Sequence, residues 1–488
     1  VNQPKSYFFQ SLAIIAISIV AFIVFKSFLP KKLFTETGGN SKNVVIDSLL
    51  LEAIEKDTIN KDEEDTISKE PIKFKAVDGI VFPTETFQDY KGFQHLVGFF
   101  EKLFQLETKQ EGKVRIAYFG DSMTDGDMIV QDFRSNFQNR FGGNGVGFVN
   151  ITSESAASRG SIKHEFSTNW KTQSYLNIKR PRKPFGINGH VFFANDTAHV
   201  EWVKYKASNL QHLSELYNPT LFYGKSGNKE AKIAYKIGND TIYKKLNPSR
   251  LVNSVSLGNT VKNLKVDFIK ADSIPVYGFN FDDGKGVHVD NFSNRGNSGL
   301  PITTFNTDVM RQFQEKLGYD LIVLHYGTNV LNYGSYNYGW YERKMTNVVN
   351  HLRECFPGVA ILIVSTADKS TKYDLEMKTD SAVVPLTNAQ KKYAIQSQSG
   401  YINLYTLMGG DGSMVKWVEE APASANKDYT HFNHRGAKKI SDLIYNQISQ
   451  GYEQYKKLRA ARKVPAVAPK AVVKKDSVTV KKDTTHVQ

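Results

Sequence analysis

Between residues 161 and 290 the chain changes texture, and that change restricts what it can fold into. Short aromatic and β-branched runs follow one another, separated by turn residues: HVFFAND, AHVEWVKYKA, TLFYGK, KIAYKIGNDTIYKKL, KNLKVDFIK, PVYGFNF and GVHVDNF. Strands at this density predict a β-sandwich. One run, IAYKIGNDTIYKKL, predicts a hairpin around Gly238-Asn239-Asp240. On either side, strands alternate with helices. Ahead of the block the spacing predicts a helix over 92–108, a strand over 114–119 and a helix over 128–141, with Phe133, Phe137 and Phe141 at i, i+4, i+8. Behind it come a helix over 308–317, a strand over 321–325, a helix over 341–355, a strand over 360–364, and helices over 387–399 and 435–450. Two halves of one α/β pattern, interrupted by an all-β block, give one architecture. It is a doubly wound α/β domain with a parallel sheet, and a β-sandwich is inserted between its first helix and its second strand.

The 488 residues divide accordingly, with the α/β domain over 74–160 and 291–452 and the sandwich over 161–290. Residues 8–25, FFQSLAIIAISIVAFIVF, are uncharged and mostly apolar, near the shortest length that spans a bilayer. The KSFLPKK that follows offers no small-x-small cleavage site and no cysteine to lipidate, so residues 1–30 read as an uncleaved single-pass membrane anchor. Lysines flank the run on both sides, so orientation follows from the chemistry rather than from charge. Residues 31–73 are polar, include EKDTINKDEEDTISKE, and read as a spacer with a short helix over 45–54. The net charge is +14, but from Lys456 onward ten Lys/Arg face two Asp, so more than half of the excess lies at one end. Residues 453–488 read as a flexible basic tail. No basic stripe interleaved with aromatics occurs in the folded part, which argues against a nucleic-acid partner. The single cysteine, Cys355, excludes an intramolecular disulfide and reads as a buried thiol at a helix end.

The chemistry collects at strand ends. In IAYFGDSMTDGD the strand over 114–119 stops at Gly120, and Asp121 and Ser122 sit on the turn into the next helix. A serine there is either a helix-capping hydroxyl or a nucleophile, and a nucleophile needs a base and oxyanion donors elsewhere in the chain. Three stretches offer them. DNFSNRGNSGLP places Gly296 in a turn-rich segment, DLIVLHYGTNVLN ends a strong strand in Gly327-Thr328-Asn329, and NKDYTHFNHRGAKKI places Asp428 and His431 three apart before a helix. In an open parallel sheet the loops at the carboxyl ends of the strands converge on one crevice, so Ser122, Gly296, Asn329, Asp428 and His431 can meet there. A nucleophile, oxyanion donors, a base and a base-orienter are what acyl transfer requires. His434 is a rival base without an Asp-x-x-His partner. Asp121 reads as a structural acceptor in the turn. His288 and Asp290 alternate along one strand with no third ligand nearby, so no metal is expected, and no cofactor either. Trp202, Tyr205 and Tyr223 are candidates for stacking on sugar rings but read slightly better as core.

The four stretches resemble the blocks of the SGNH (GDSL-like) hydrolase superfamily. FGDSMTDGD resembles the nucleophile block, SNRGNSG the block with the oxyanion glycine, YGTN the Gly-x-Asn block, and DYTHFNHRGA the Asp-x-x-His block; the match spans about 74–452. Val330 stands where many members have Asp, and Met123 replaces the usual Leu. Within the superfamily the long segment GDSMTDGDMIVQDFRSNFQNRFGGNGVGFV and the inserted sandwich are most similar to periplasmic peptidoglycan O-acetylesterases, in which a carbohydrate-binding-module-like sandwich interrupts the hydrolase domain. Relatives that transfer acetyl groups beside membrane-bound O-acyltransferases share much of the pattern.

The resemblance implies Ser122 as nucleophile, His431 as base, Asp428 as its orienter, and an oxyanion hole from Ser122 N–H, Gly296 N–H and the Asn329 amide. It further implies an acetylated glycan as substrate, a bacterial inner-membrane anchor and a periplasmic catalytic domain. The non-enzymatic alternative is an envelope scaffold on the same fold, and the complete Ser, Asn, Asp and His set argues against it.

Overall fold

The computed structural model describes residues 13, 17–18, 47–57, 70–194, 199–237, 240–331 and 337–462. Its centre is a five-stranded parallel sheet in the order Gly286–Asn291, Lys113–Gly120, Leu321–His325, Ala360–Val364, Gly400–Ile402. Leu321–His325 and Ala360–Val364 are buried along their whole length, as strands covered on both faces must be. Side chains alternate between two apolar layers. Ala117, Phe119, Ile322, Leu324, Ile361 and Ile363 join one, with helices Thr307–Leu317, Gly339–Cys355 and Val383–Gln396. Ile116, Tyr118, Val287, Val289, Val323 and Leu362 join the other, with helices Val97–Lys109, Val130–Phe141 and His434–Ala461. The predicted phenylalanine stripe works as read, because Phe133 and Phe137 are fully buried in that second layer and Phe141 packs at its rim. Each fully buried ring contributes about 2 kcal/mol of transfer free energy. Cys355 is buried in the first layer, and burial pushes its thiol up to about 11.

Between the first and second strands of that sheet the chain forms two antiparallel sheets. One has the order Val252–Ser256, Thr220–Gly224, Val276–Phe281, His190–Phe193, Lys171–Ser174, with Gly147–Val149 added beside Val276–Phe281. The other has the order Ile162–Phe166, Glu201–Ala207, Asn263–Ile269, Lys232–Ile237, Asp240–Lys245. Residues of both share one apolar cluster, in which Tyr205 of one sheet meets Phe279 and Phe281 of the other edge-on. Lys232–Ile237 and Asp240–Lys245 pair as the predicted hairpin, with Ile237 opposite Asp240; its Gly238 and Asn239 lie outside the described residues.

Three boundaries differ from expectation. GVHVDN was expected within the insertion, yet Gly286–Asn291 runs parallel to Lys113–Gly120 and forms the edge of the central sheet. Its local alternation suits either sheet, and only the long-range partner decides. The segment at 47–57 is not spacer. Asp47 accepts from Leu49 and Leu50 N–H at the start of helix Ser48–Asp57, and Leu50 and Ala53 are buried in the first apolar layer. The last helix runs on to Ala461, so 453–461 belong to it and not to a basic tail. There Arg459 Nε pairs with Glu101 at 2.7 Å, and Lys456 reaches Glu107 at 3.3 Å. Composition counts these cations as surplus because their carboxylate partners lie on another helix. Among the described residues no helix is long and apolar enough to cross a membrane. The run at 8–25, apart from residues 13, 17 and 18, lies outside them, as do residues 463–488.

Candidate active site

The order of the parallel sheet places a switch point between Lys113–Gly120 and Leu321–His325. The strand that follows the first in sequence lies on one side of it, and all later strands lie on the other. Ligand crevices of open α/β sheets form at the carboxyl ends of the strands at such a point. Ser122 lies two residues beyond the first of these strands and Asn329 four beyond the second.

The turn that carries Ser122 is tight. A Cβ at Gly120 would sit 2.1 Å from Thr124 Oγ1 and 3.1 Å from Ser293 Oγ, so only glycine fits. The orphan N–H groups of the turn go to Asp121. Its carbonyl accepts from Thr124 and Asp125, and its Oδ1 accepts from Met123 at 2.9 Å. Asp121 thus does what a capping serine would do, and the Ser122 hydroxyl is engaged elsewhere. It lies 3.0 Å from His431 Nε2. His431 Nδ1 donates to Asp428 Oδ2 at 2.9 Å, which leaves Nε2 of the neutral ring to accept the serine proton. Asp428 Oδ1 accepts from the Thr430 and His431 N–H groups at 3.0 and 2.9 Å, so the carboxylate is fixed by its own turn. Partial burial pushes the Asp428 carboxyl up, but the bonds from His431 and the backbone outweigh this and hold it below the ordinary value. His434 begins the following helix, exposed, behind an N-cap in which Asn433 accepts from Gly436 N–H at 3.1 Å.

Gly296 has a φ of +78°, the left-handed region that glycine supplies without strain. The Asn329 amide donates to the Asn297 carbonyl at 3.0 Å, which ties the short helix Thr328–Leu331 to the Gly296 loop. Ser122, Gly296 and Asn329 therefore follow the carboxyl ends of three neighbouring parallel strands, and Asp428 and His431 join them through the His431–Ser122 contact. Ser122, His431 and Asp428 are in direct contact, while Asn329 meets the Gly296 loop rather than the serine itself.

Sequence reasoning missed what supports that loop. Asp47 is 1% exposed, and its Oδ2 accepts from Ser298 N–H at 3.0 Å and from the Ser298 hydroxyl. Tyr341 OH donates to the Ser298 carbonyl at 2.7 Å, and Asn297 Nδ2 donates to Tyr175 OH at 2.9 Å. An Asp before the apolar-spaced Leu49, Leu50 and Ala53 is a legible helix cap; its bond across the fold to Ser298 is not. Asp121 is also more than a turn acceptor. Its Oδ2 has no hydrogen-bond partner, and burial pushes the carboxyl up to about 6.

The remaining candidates separate. Asp290 is fully committed, with both oxygens accepting from Arg115 and further bonds from Tyr319 OH at 2.6 Å and Phe148 N–H at 2.8 Å. His288 is buried beside this cluster with neither ring nitrogen hydrogen-bonded, and burial lowers its pKa. Among the described residues no group of three or more His, Cys, Asp or Glu is placed to hold a metal. Tyr205 and Tyr223 are core residues whose hydroxyls engage the carbonyls of Asn150 and Asn247. Trp202 is half-buried beneath Lys265 Nζ, 5.3 Å from its ring.

No protein-family model matches the sequence, and no curated protein matches it. Among solved structures, a peptidoglycan O-acetylesterase shares the fold with a TM-score of 0.61 at 19% identity, over 73% of this chain and 96% of that one. A family two carbohydrate esterase from Cellvibrio japonicus (TM-score 0.25, 9% identity, 60% of this chain and 98% of that one) superimposes far more loosely. So does a salicylyl-acyltransferase from a tetracycline biosynthetic pathway (TM-score 0.26, 12% identity, 62% and 96%). The chain thus shares its overall fold with a peptidoglycan O-acetylesterase.

Proposed function

We propose that this chain is a serine esterase that removes O-acetyl groups from a cell-envelope polysaccharide, peptidoglycan being the first candidate. The observation that carries the reading is the continuous relay Ser122 Oγ, His431 Nε2, His431 Nδ1, Asp428 Oδ2, with contacts of 3.0 and 2.9 Å, at the switch point of the sheet. His431 takes the proton of Ser122 as its Oγ attacks the acetyl carbonyl, and Asp428 holds the ring and stabilises the imidazolium. The N–H groups of Ser122 and Gly296 and the Asn329 amide receive the oxyanion. One such donor is worth about 3 kcal/mol in the transition state. Collapse gives acetyl-Ser122 and the free sugar hydroxyl, with the proton delivered from His431, and water then releases acetate by the reverse route. The reaction class is supported by this geometry, and the choice of glycan by the fold shared with a peptidoglycan O-acetylesterase.

In the same reading the run at 8–25 anchors the protein in a bacterial inner membrane, with the esterase on the periplasmic side. The two antiparallel sheets form the inserted sandwich and position the glycan. The test is turnover of p-nitrophenyl acetate and of O-acetylated peptidoglycan by the full chain and by Ser122→Ala, with mass spectrometry of the Ser122 peptide during turnover. Acetate release with an acetyl adduct on Ser122 supports the reading. Equal activity of Ser122→Ala would sink it. Acetylated sugar as the main product when an acceptor glycan is supplied would convert the reading to an O-acetyltransferase working with a membrane O-acyltransferase.

A further inference from the structure

A cavity of about 420 Å³ opens where the hydrolase loops meet the antiparallel sheets, within the size range of small-ligand sites. Asp125, Asn294 and Arg295 line it together with Asn150, Glu154 and His190. Asp125 and Arg295 adjoin the candidate active site along the chain. Arg295 precedes Gly296, and Asp125 is three residues beyond Ser122, so by chain length alone it lies no more than about 11 Å from it.

The hydrogen-bonding capacity of the lining is only partly used. Asp125 Oδ1 accepts from Ser155 Oγ and its Oδ2 from Arg295 Nε, each at 2.7 Å. That salt bridge engages Nε of a guanidinium that is 48% exposed, and its two NH2 groups remain as donors. His190 Nδ1 lies 2.9 Å from the Asn188 carbonyl, which can only accept. The ring proton therefore sits on Nδ1, and Nε2 is an acceptor. Burial lowers the pKa of this ring and keeps it neutral. Asn150 Oδ1 accepts from Asn188, which leaves its amide hydrogens as donors.

The lining thus offers donors and acceptors side by side, with two carboxylates against one guanidinium. A sugar hydroxyl donates and accepts at once and satisfies such a wall. A uronate or phosphate would meet a net negative surface with its only cation already paired. We propose that this cavity is a subsite for a neutral, hydroxyl-rich pyranose next to the acetylated unit, built jointly by the hydrolase loops and the antiparallel sheets. It makes polar contacts at the junction, beside the apolar Phe166 and Leu176 of the same lining, the means by which the inserted region reads glycan. The inference deepens the esterase reading and rests on it.

Thr172 lines the mouth from an exposed position on strand Lys171–Ser174, so Thr172→Trp fills the cavity without touching the core. Calorimetry of the full chain with N-acetylglucosamine tetramer should give binding that Thr172→Trp and Glu154→Ala weaken by about tenfold or more, while a galacturonate tetramer does not bind. In kinetics, KM for an O-acetylated N-acetylglucosamine oligomer should rise by a similar factor with kcat unchanged, and p-nitrophenyl acetate hydrolysis should stay within about twofold. Absence of tetramer binding to the unmodified chain, or binding unchanged by Thr172→Trp, overturns the subsite, as does preferential binding of the galacturonate. Failure of the unmodified chain to hydrolyse p-nitrophenyl acetate is a separate result and counts against the esterase reading.

Discussion

Two carboxylate clusters in this molecule use similar residues in opposite ways. At the crevice, Asp428 and His431 have side chains 50% and 39% exposed. The imidazole has one partner on each nitrogen, and one of those partners is the serine hydroxyl. Where the parallel sheet meets the antiparallel strand Val276–Phe281, Arg115 is 0% exposed, with donors shared among Asp290 at 2.7 and 2.8 Å, Asp282 at 2.6 Å and Asn280 at 2.5 Å. Burial pushes the Asp282 carboxyl up, and Arg115, His288 and Asn280 together more than reverse this. The second cluster joins the parallel strands Lys113–Gly120 and Gly286–Asn291 to the end of the antiparallel strand Val276–Phe281. Arg115 and Asp290 are fully buried, and both oxygens of Asp290 and of Asp282 accept hydrogen bonds, so this cluster fixes geometry and is not placed to exchange a proton with a substrate. The first has a free path to solvent and a proton-carrying neighbour, so it can. What separates the two clusters here is access and spare valence, not residue type.

The sharpest way to break this comparison is at the crevice. Ser122→Ala and His431→Ala should each lower kcat for acetyl ester hydrolysis on the order of 10³-fold or more, and the double variant should be hardly slower than the worse single one, because the residues act as a unit. His434→Ala should be nearly neutral. Steady-state kinetics on p-nitrophenyl acetate decide it, and a dead His434→Ala beside an active His431→Ala would reassign the base.

The mirror experiment is Arg115→Met. Removing the cation leaves buried carboxylates uncompensated and should cost about 3–5 kcal/mol of stability, read by urea unfolding. Whatever remains folded should keep most of its kcat. An undisturbed midpoint would mean the cluster is not the structural joint described.

Between the extremes lies Asp47, which holds Ser298 next to the Gly296–Asn297 segment that receives the Asn329 amide. Asp47→Ala should lower kcat by about tenfold with KM little changed, since it displaces the donors that the proposed reaction assigns to the oxyanion. A change in KM alone, or none, would reduce Asp47 to a helix cap.

The smallest effect belongs to Asp121, whose carboxyl is pushed up to about 6 by burial. A folded-state value above the ordinary one means the native state favours the protonated acid. Its contribution is complete below about pH 4 and is lost as pH rises through 6. Asp121→Asn should therefore match the parent in melting temperature near pH 4 and exceed it above pH 7. A constant difference across that range would show that Asp121 does not titrate there.

The sequence by itself determined the parallel core and the loops that carry chemistry. Leu321–His325 and Ala360–Val364 have the predicted bounds, because a strand buried on both faces must be apolar throughout and ends where polar turn residues begin. Ser122, Gly296, Asn329, Asp428 and His431 were legible for the same local reason: each follows or precedes a recognisable element end. Tertiary structure decided the partners. Gly286–Asn291 alternates like any half-buried strand, and only its pairing with Lys113–Gly120 draws it into the central sheet. Asp47 meets Ser298 across 251 positions, and Arg115 meets Asp282 across 167. Local periodicity records which face of an element is buried and where the element stops. It carries no record of which distant element supplies the other half of a hydrogen bond or an ion pair, because that choice is made by packing the whole chain.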